Sequence, residues 1–255
     1  MPEVIGLIRE RWLALGGPGS FLGNPITDEM DFPEGGRISV FERGQIYFWP
    51  DVGAIEIGEV IVHYTGLNCF GETDEFSGSD EPYVVLGVHV PDEPARSVTT
   101  RVHGDVDAGD TRPEVIELYH GTPRGITIIA QMMEHDEGKP EDYRAAMEGV
   151  AAGAGAAVTA AVKFVPKIGP VLSLAAGPIL ALLNPVIGEG LGKLFGLGDD
   201  MIGHTTIFVT PRDMVLLAAR PDLSIERNVG FKIQSVPLHG DGATYKVYFN
   251  ILRTP

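Results

Sequence analysis

Several short segments of this chain alternate in side-chain character and are rich in β-branched or aromatic residues. These segments cover residues 60–65, 83–88, 126–130, 206–210 and 243–251. Clusters of turn-forming residues separate them, at positions 71–82, 91–95, 103–113 and 238–242. Alternation of this kind favours half-buried strands, and many short strands bounded by turns are typical of an antiparallel β-sandwich. We therefore predict a mainly β chain.

One long segment breaks the strand pattern. Residues 137–197 are rich in Ala, Gly and Leu, and they carry five basic and five acidic residues. Acidic side chains at the start of residues 141–148 favour a helix there, and residues 168–188 contain no charged side chain. Two helices joined by a turn near residues 166–170 explain this pattern. We predict an apolar α-helical hairpin inserted into the sandwich.

Composition and charge exclude several classes of function. The chain has 255 residues, with 35 acidic and 19 basic side chains and a formal net charge of −16. Nucleic-acid binding needs clustered Lys and Arg, so we expect no nucleic-acid partner. The single cysteine, Cys69, excludes an intrachain disulfide and a cysteine-rich zinc site.

The first ten residues lack a basic segment followed by a long apolar run. We therefore expect a cell-surface protein, or one secreted by a route without a conventional signal peptide. A cytoplasmic or particle-associated location is the alternative.

The first 60 residues carry aromatic and glycine motifs in a distinctive order. In chain order these are Trp12, Gly16-Gly17, Leu22-Gly23-Asn24-Pro25 and Phe41-Glu42-Arg43-Gly44-Gln45-Ile46-Tyr47-Phe48-Trp49. The order resembles the LGFP repeat, which recurs in cell-envelope proteins of mycolic-acid bacteria. The resemblance implies association with cell-wall glycan or envelope lipid, and it predicts an LGFP-like module at residues 1–60.

Three aromatic side chains of this module, Trp12, Tyr47 and Trp49, have two possible roles. They could stack on sugar rings, and we predict them as glycan or envelope contacts. They could instead fill the core of a small module that has few other large side chains. The sequence leaves both roles open.

Acidic residues flank two predicted loops. Asp74 and Asp80 lie on either side of a Gly/Ser turn, Glu134 and Asp136 precede the insertion, and Asp200 follows it. Calcium takes about six to eight oxygen ligands, largely carboxylates, and loops at one end of a sandwich can converge on one ion. Solvated turns are the alternative.

These loops resemble those of the C2 domain, the calcium- and phospholipid-binding sandwich of protein kinase C and the synaptotagmins. The first loop of that family ends in Asp-Pro-Tyr-Val, and here Glu81 stands between Asp80 and Pro82. The resemblance implies a C2-like sandwich at residues 61–255, with residues 137–197 as its insertion. It also implies Ca2+ as cofactor, with five ligands: Asp74, Asp80, Glu134, Asp136 and Asp200.

Three interpretations of the insertion stay open: a hairpin packed on the sandwich, a membrane contact, or a contact in a homo-oligomer. A spanning helix needs about 20 apolar residues, which residues 168–188 supply, although prolines interrupt them. Calcium loops of C2 domains touch lipid, so the resemblance places the insertion where a membrane would be met. The predicted membrane or subunit contacts are Ile168, Leu172, Leu174, Ile179, Leu180 and Leu183.

We expect a non-enzymatic, calcium-dependent binding protein directed to a bacterial cell envelope or membrane. The sequence contains neither a Gly-x-Ser-x-Gly nor a His-Glu-x-x-His motif. One alternative is a secreted effector or pore-forming toxin that uses the apolar hairpin at residues 149–196. A second is a structural subunit of a phage or secretion particle. A third is a hydrolase in which His135 or His204 pairs with an aspartate.

Overall fold

The computed structural model describes most of the chain. The described residues are 2–73, 80–136, 138–162, 185, 187–188, 190–191, 199–221, 223–225 and 229–254. The predicted calcium ligand Asp74 lies outside them. So do all six predicted membrane or subunit contacts, Ile168, Leu172, Leu174, Ile179, Leu180 and Leu183.

The N-terminal module consists of one helix and a four-stranded antiparallel meander. Helix α1 spans Gly6–Ala14, and a short 3-10 turn spans Gly17–Gly19. The strands follow one another in the sheet as they do in the chain. They are β1 (Met30–Phe32), β2 (Gly36–Phe41), β3 (Gly44–Trp49) and β4 (Gly53–Ile57). A Cβ atom on Gly36 would lie 2.5 Å from the indole nitrogen of Trp49, so this position requires glycine.

Both faces of the meander are covered. Successive side chains of a strand point to opposite faces, and along β3 this separates Ile46 from Tyr47 and Trp49. Ile46 packs in a small core with Ile8 and Trp12 of α1. Tyr47 and Trp49 belong instead to the main core of the sandwich. The meander ends at Ile57, close to the predicted boundary at residue 60, but the hydrophobic core continues across it.

Two antiparallel sheets follow, which confirms the predicted mainly β class. The first sheet has the strand order β10-β9-β6-β7, and the second has the order β13-β15-β5-β8, with β14 also paired to β15. The first sheet contains β6 (Pro82–His89), β7 (Arg96–Thr99), β9 (Ile126–Glu134) and β10 (Asp200–Val209). The second contains β5 (Val60–Gly71), β8 (Thr111–Gly121), β13 (Ile233–Gln234), β14 (Leu238–Gly240) and β15 (Ala243–Arg253). Strands β11 (Leu223–Ile225) and β12 (Val229–Phe231) pair with each other.

Helix α3 (Pro211–Ala219) connects the module to the sandwich. Its N-cap Thr210 accepts a hydrogen bond from the backbone N–H of Asp213 at 3.1 Å, a usual way to begin a helix. Arg212 on this helix is buried and forms an ion pair with Asp51. The central carbon of its guanidinium lies 5.7 Å from the centre of the Trp49 ring. We call this contact between module and sandwich the junction.

Helix α2 (Pro140–Val162) packs on the outer face of the first sheet, with acidic residues in its first turn as predicted. The apolar side of α2 covers buried side chains of β6 and β9. The cluster contains Tyr83, Val85, Ile129, Met133, Tyr143, Met147, Val150, Ala154, Val158, Ile187 and Leu191. Because α2 covers one face and the second sheet the other, every residue of β9 is buried.

The first half of the predicted helical hairpin is therefore a helix packed on the sheet. The predicted turn near residues 166–170 lies outside the described residues, and so does most of the predicted second helix. The hairpin as a whole stays a prediction. Among the helices in the described ranges, none combines the length and apolar character needed to cross a membrane.

Candidate functional site

Four of the predicted calcium ligands lie near one end of the first sheet. Glu134 is the last residue of β9, and in the strand register it lies opposite both Pro82 of β6 and Asp200 of β10. Asp80 lies two residues before β6, and Asp136 lies two residues after β9. We call this region, together with Asp199, the acidic end. The strand register thus brings residues that flank the two predicted loops to one end of the sheet.

Asp80 is a buried hydrogen-bond acceptor. Its side chain accepts the backbone N–H of Thr73 at 3.0 Å, the Thr73 hydroxyl at 2.6 Å, and the hydroxyl of Tyr245. The residue is 1% exposed. Burial raises the pKa of the Tyr245 hydroxyl, and its hydrogen bond to Asp80 raises that pKa further, so Tyr245 remains a donor.

Asp199 was not predicted as a site residue from the sequence, yet it is a second buried acceptor of the acidic end. Its side chain accepts the Tyr83 hydroxyl at 2.6 Å and the backbone N–H groups of Asp136 and Gly138 at 3.0 and 2.7 Å. Burial by itself raises the pKa of this carboxyl, but the hydrogen bonds outweigh burial and the pKa lies below its ordinary value. Asp199 is therefore held as a charged acceptor.

The remaining acidic side chains of the acidic end differ from one another in solvent exposure. Glu134 is buried and accepts the backbone N–H of Glu81 at 2.8 Å. Asp136 and Asp200 are exposed. The acidic end therefore combines buried acceptors with solvent-exposed carboxylates.

These residues do not fit a calcium ion in the arrangement that they adopt. Calcium needs oxygen atoms at about 2.3–2.6 Å on several sides. Asp80 and Asp199 instead face N–H and O–H groups, whose positive ends occupy the same lone pairs. Within the described ranges, no three His, Cys, Asp or Glu side chains form a group that could hold a metal ion. Asp74, the fifth predicted ligand, lies outside those ranges.

The predicted glycan contacts need correction. Trp12, Tyr47 and Trp49 are 8%, 1% and 0% exposed. The indole N–H of Trp12 donates to the Gly23 carbonyl at 3.0 Å, and that of Trp49 donates to the Pro33 carbonyl at 3.2 Å. A ring that stacks on a sugar needs a free face. Tyr47 and Trp49 are enclosed in the main core, and Trp12 is packed in the small core of the module. They form core, which was the alternative interpretation.

A cleft lies beside α1 in the module. Its volume is about 720 Å³, and its lining residues are Pro2, Glu3, Val4, Ile5, Gly6, Arg9, Trp12 and Pro25. Nine large apolar side chains are exposed in the part of the chain that the structure describes, and six of them fall within residues 5–30. Among the described residues, the exposed large apolar side chains are thus concentrated in the module.

The two histidines predicted for a hydrolase, His135 and His204, lie in different surroundings. His135 Nδ1 approaches Asp199 at 3.4 Å, and its ring meets the edge of Tyr83 at 6.1 Å. His204 lies on β10, where burial lowers the pKa of its imidazole. Cys69 is fully buried, and burial raises the pKa of its thiol, which disfavours the nucleophilic thiolate.

Comparisons with known proteins give a repeat-family match and similarity to solved structures. The curated proteins contain no match to this chain. Among solved structures, the chain is similar to the crystal structure of a C2 domain protein from Ramazzottius varieornatus. That similarity has 9% sequence identity and a TM-score of 0.29, and it covers 78% of this chain and 91% of the other. A TM-score this low carries no argument about the sandwich. Residues 22–66, from the meander into the first half of β5, match the LGFP repeat. The chain therefore carries a repeat that is found in cell-envelope associated proteins.

Proposed function

We propose that this protein is a non-enzymatic binding protein that attaches to a bacterial cell envelope through its N-terminal module. The observation that carries the proposal is the LGFP repeat at residues 22–66. This repeat includes the meander β1 to β4, in which Phe41, Tyr47 and Trp49 are buried. The repeat therefore supplies a stable platform, and the envelope contact belongs to the outer surface of the module.

The outer surface around α1 is the best candidate for that contact. Ile5, at the rim of the cleft, is 50% exposed, and Leu7 on α1 is also 50% exposed. Burying apolar surface releases about 25 cal/mol per Å². Exposed apolar side chains gathered in one part of a soluble chain often mark a binding surface. Envelope glycan and envelope lipid both present CH groups that such a surface can bury.

Sedimentation with isolated envelope from a mycolic-acid bacterium tests the proposal. We expect the full chain to sediment with the envelope, and Ile5→Ser to reduce the bound fraction several-fold. Val115→Ser is the matched control, because Val115 is 68% exposed but lies on β8 of the sandwich. We expect that variant to bind as the parent does.

The possible outcomes separate the parts of the proposal. Failure of the parent protein to sediment with envelope would reject attachment. Equal binding by Ile5→Ser and Val115→Ser would reject the α1 surface as the site of contact but would leave envelope attachment standing. Turnover of a generic ester, glycan or peptide substrate would reject the non-enzymatic part.

Calcium dependence is the second and narrower candidate. The strand register favours it, because Glu134 lies opposite Asp200 at the acidic end. The protein donors around Asp80 and Asp199 oppose it. Envelope sedimentation in calcium and in chelator decides the question. Equal binding in both would reject calcium dependence and leave envelope attachment standing.

A further inference from the structure

Asp80 and Asp199 occupy equivalent places in two different loops. Asp80 accepts two hydrogen bonds from Thr73, so one carboxylate joins the residues on either side of positions 74–79. Asp199 accepts backbone hydrogen bonds from Asp136 and Gly138, so it joins the two ends of the insertion. Each carboxylate connects the chain before a loop to the chain after it.

A buried tyrosine completes each connection. Tyr245 of β15 donates to Asp80, and Tyr83 of β6 donates to Asp199. Tyr245 belongs to the core between the sheets, whereas Tyr83 belongs to the cluster under α2. The two carboxylates are thus anchored to the two hydrophobic cores on opposite faces of the first sheet.

The insertion has a further contact at the same point. The backbone N–H of Asp199 donates to the hydroxyl of Tyr143, a buried residue in the second turn of α2. Asp199 therefore connects the start of the insertion, its first helix and the first sheet. The loss of this one carboxylate would leave two backbone N–H groups and one hydroxyl without their acceptor.

A cation would compete for the same lone pairs. Each carboxylate has about four lone-pair sites. Asp80 accepts hydrogen bonds from three protein donors, and Asp199 accepts three in addition to its contact with His135. Calcium binding would require these donors to be displaced, and the buried N–H and O–H groups would then lose their partners.

We infer that the acidic end is a cation-independent closure, in which Asp80 and Asp199 hold the bases of the first loop and of the insertion by accepting hydrogen bonds from the chain and from a buried tyrosine. These carboxylates act as positioning residues for the loops. The inference does not depend on envelope attachment.

Thermal unfolding of the full chain tests the closure. We expect chelator-treated protein to unfold cooperatively, with a Tm that calcium or magnesium shifts by less than about 1 °C. Asp199→Asn should lower the Tm by about 5 °C or more, because its amide N–H groups would face backbone donors. Asp200→Asn is the matched control, one residue away but exposed, and we expect its Tm within about 1 °C of the parent's.

Hydrogen exchange distinguishes a closure from general destabilisation. We expect Asp199→Asn to speed exchange selectively in the amides of α2, whereas Asp80→Asn should speed exchange at the Gly71 end of β5 and the Ala243 end of β15. Should Asp199→Asn fail to fold, Tyr83→Phe removes only the donor and should show the same α2 pattern in weaker form.

Two results would overturn the inference. One is a calcium-specific rise in Tm of the parent protein that Asp80→Asn or Asp199→Asn abolishes, which would make these residues ligands. The other is equal acceleration of exchange in all elements for both variants, which would remove the separate roles of the two loops.

Discussion

One carboxylate of the acidic end and two carboxylates of the junction have pKa values that are shifted in opposite directions. At the acidic end the pKa of Asp199 is lowered, because hydrogen bonds outweigh burial. At the junction the pKa values of Glu34 and Asp213 are raised, chiefly by burial. The neighbouring Thr210 and the charge of Arg212 oppose that rise only in part. The arrangement of donors, more than the depth of burial, decides which carboxylate is stable as an anion.

After the loss of the Asp199 carboxylate itself, the largest expected effect comes from removing a tyrosine donor at the acidic end. Tyr83→Phe and Tyr245→Phe should each lower the free energy of unfolding by about 1.5–3 kcal/mol, because each leaves a buried carboxylate short of one donor. Denaturant unfolding at neutral pH measures this loss.

Tyr64→Phe is the control for these variants. Tyr64 is fully buried, and its hydroxyl has no hydrogen-bond partner among the described residues. Removing that hydroxyl should leave stability unchanged or slightly increased. Equal losses for all three tyrosines would show that the hydrogen bonds to Asp80 and Asp199 are not what stabilises the acidic end.

The next largest loss of stability is expected from removing Arg212, the buried cation of the junction. Arg212→Ala should lower the free energy of unfolding by about 1–2 kcal/mol, since it removes the pair with Asp51 and the contact with Trp49. It also removes a charge that lowers the pKa of Glu34 and Asp213. The loss measured by urea unfolding should therefore be smaller at pH 5 than at pH 7.

Arg11→Ala is the matched surface control. Arg11 forms a two-pronged pair with Glu56, but its side chain is 42% exposed. Exposed pairs contribute about 0.2–1 kcal/mol, so this variant should have the smaller effect. A larger loss for Arg11→Ala than for Arg212→Ala would contradict the importance of burial at the junction.

The smallest effect is a difference in pH dependence. A carboxylate whose pKa is raised on folding contributes stability below its unfolded pKa, about 4, and loses it as pH rises through the folded pKa. Glu34 should therefore contribute to a rise in the Tm of the parent protein as the pH falls from 7 to 5. In the Glu34→Gln variant this rise should be smaller. Asp199 has a lowered pKa, so its contribution is present above about pH 4 and is lost as pH falls further.

Thermal unfolding from pH 3 to 7 checks both signs, with each variant compared with the parent so that the effect of net charge cancels. Asp199→Asn should flatten only the loss below about pH 4. If Tm changed with pH in the same way in Glu34→Gln and in the parent between pH 5 and 7, the pKa of Glu34 would be the same in the folded and unfolded chain, and the prediction would be wrong.

The strands and the first helix of the insertion were predictable because their signals are local. Alternation in residues 126–130 and 243–251, and the acidic start of residues 141–148, identify elements from neighbours a few positions apart. β9 is buried on both faces, which its nearly continuous apolar sequence indicates but which alternation alone does not.

The roles of particular side chains were less predictable. Trp12, Tyr47 and Trp49 have the same residue types whether they form a sugar platform or a core, and only their burial distinguishes the two. Asp199 and Asp200 are adjacent and chemically identical in the sequence. The strand β10 begins at Asp200, and Asp199 turns inward to meet Tyr83.

The sequence by itself determined the mainly β class and the LGFP repeat, because each can be identified from contiguous residues. Only the tertiary structure decided which carboxylates are buried and what they bind. Tyr83 and Asp199 are 116 residues apart in the chain, and Asp80 and Tyr245 are 165 apart. The pKa of such a carboxylate is set by hydrogen-bond donors that folding brings from distant segments, and a local sequence pattern does not identify those donors.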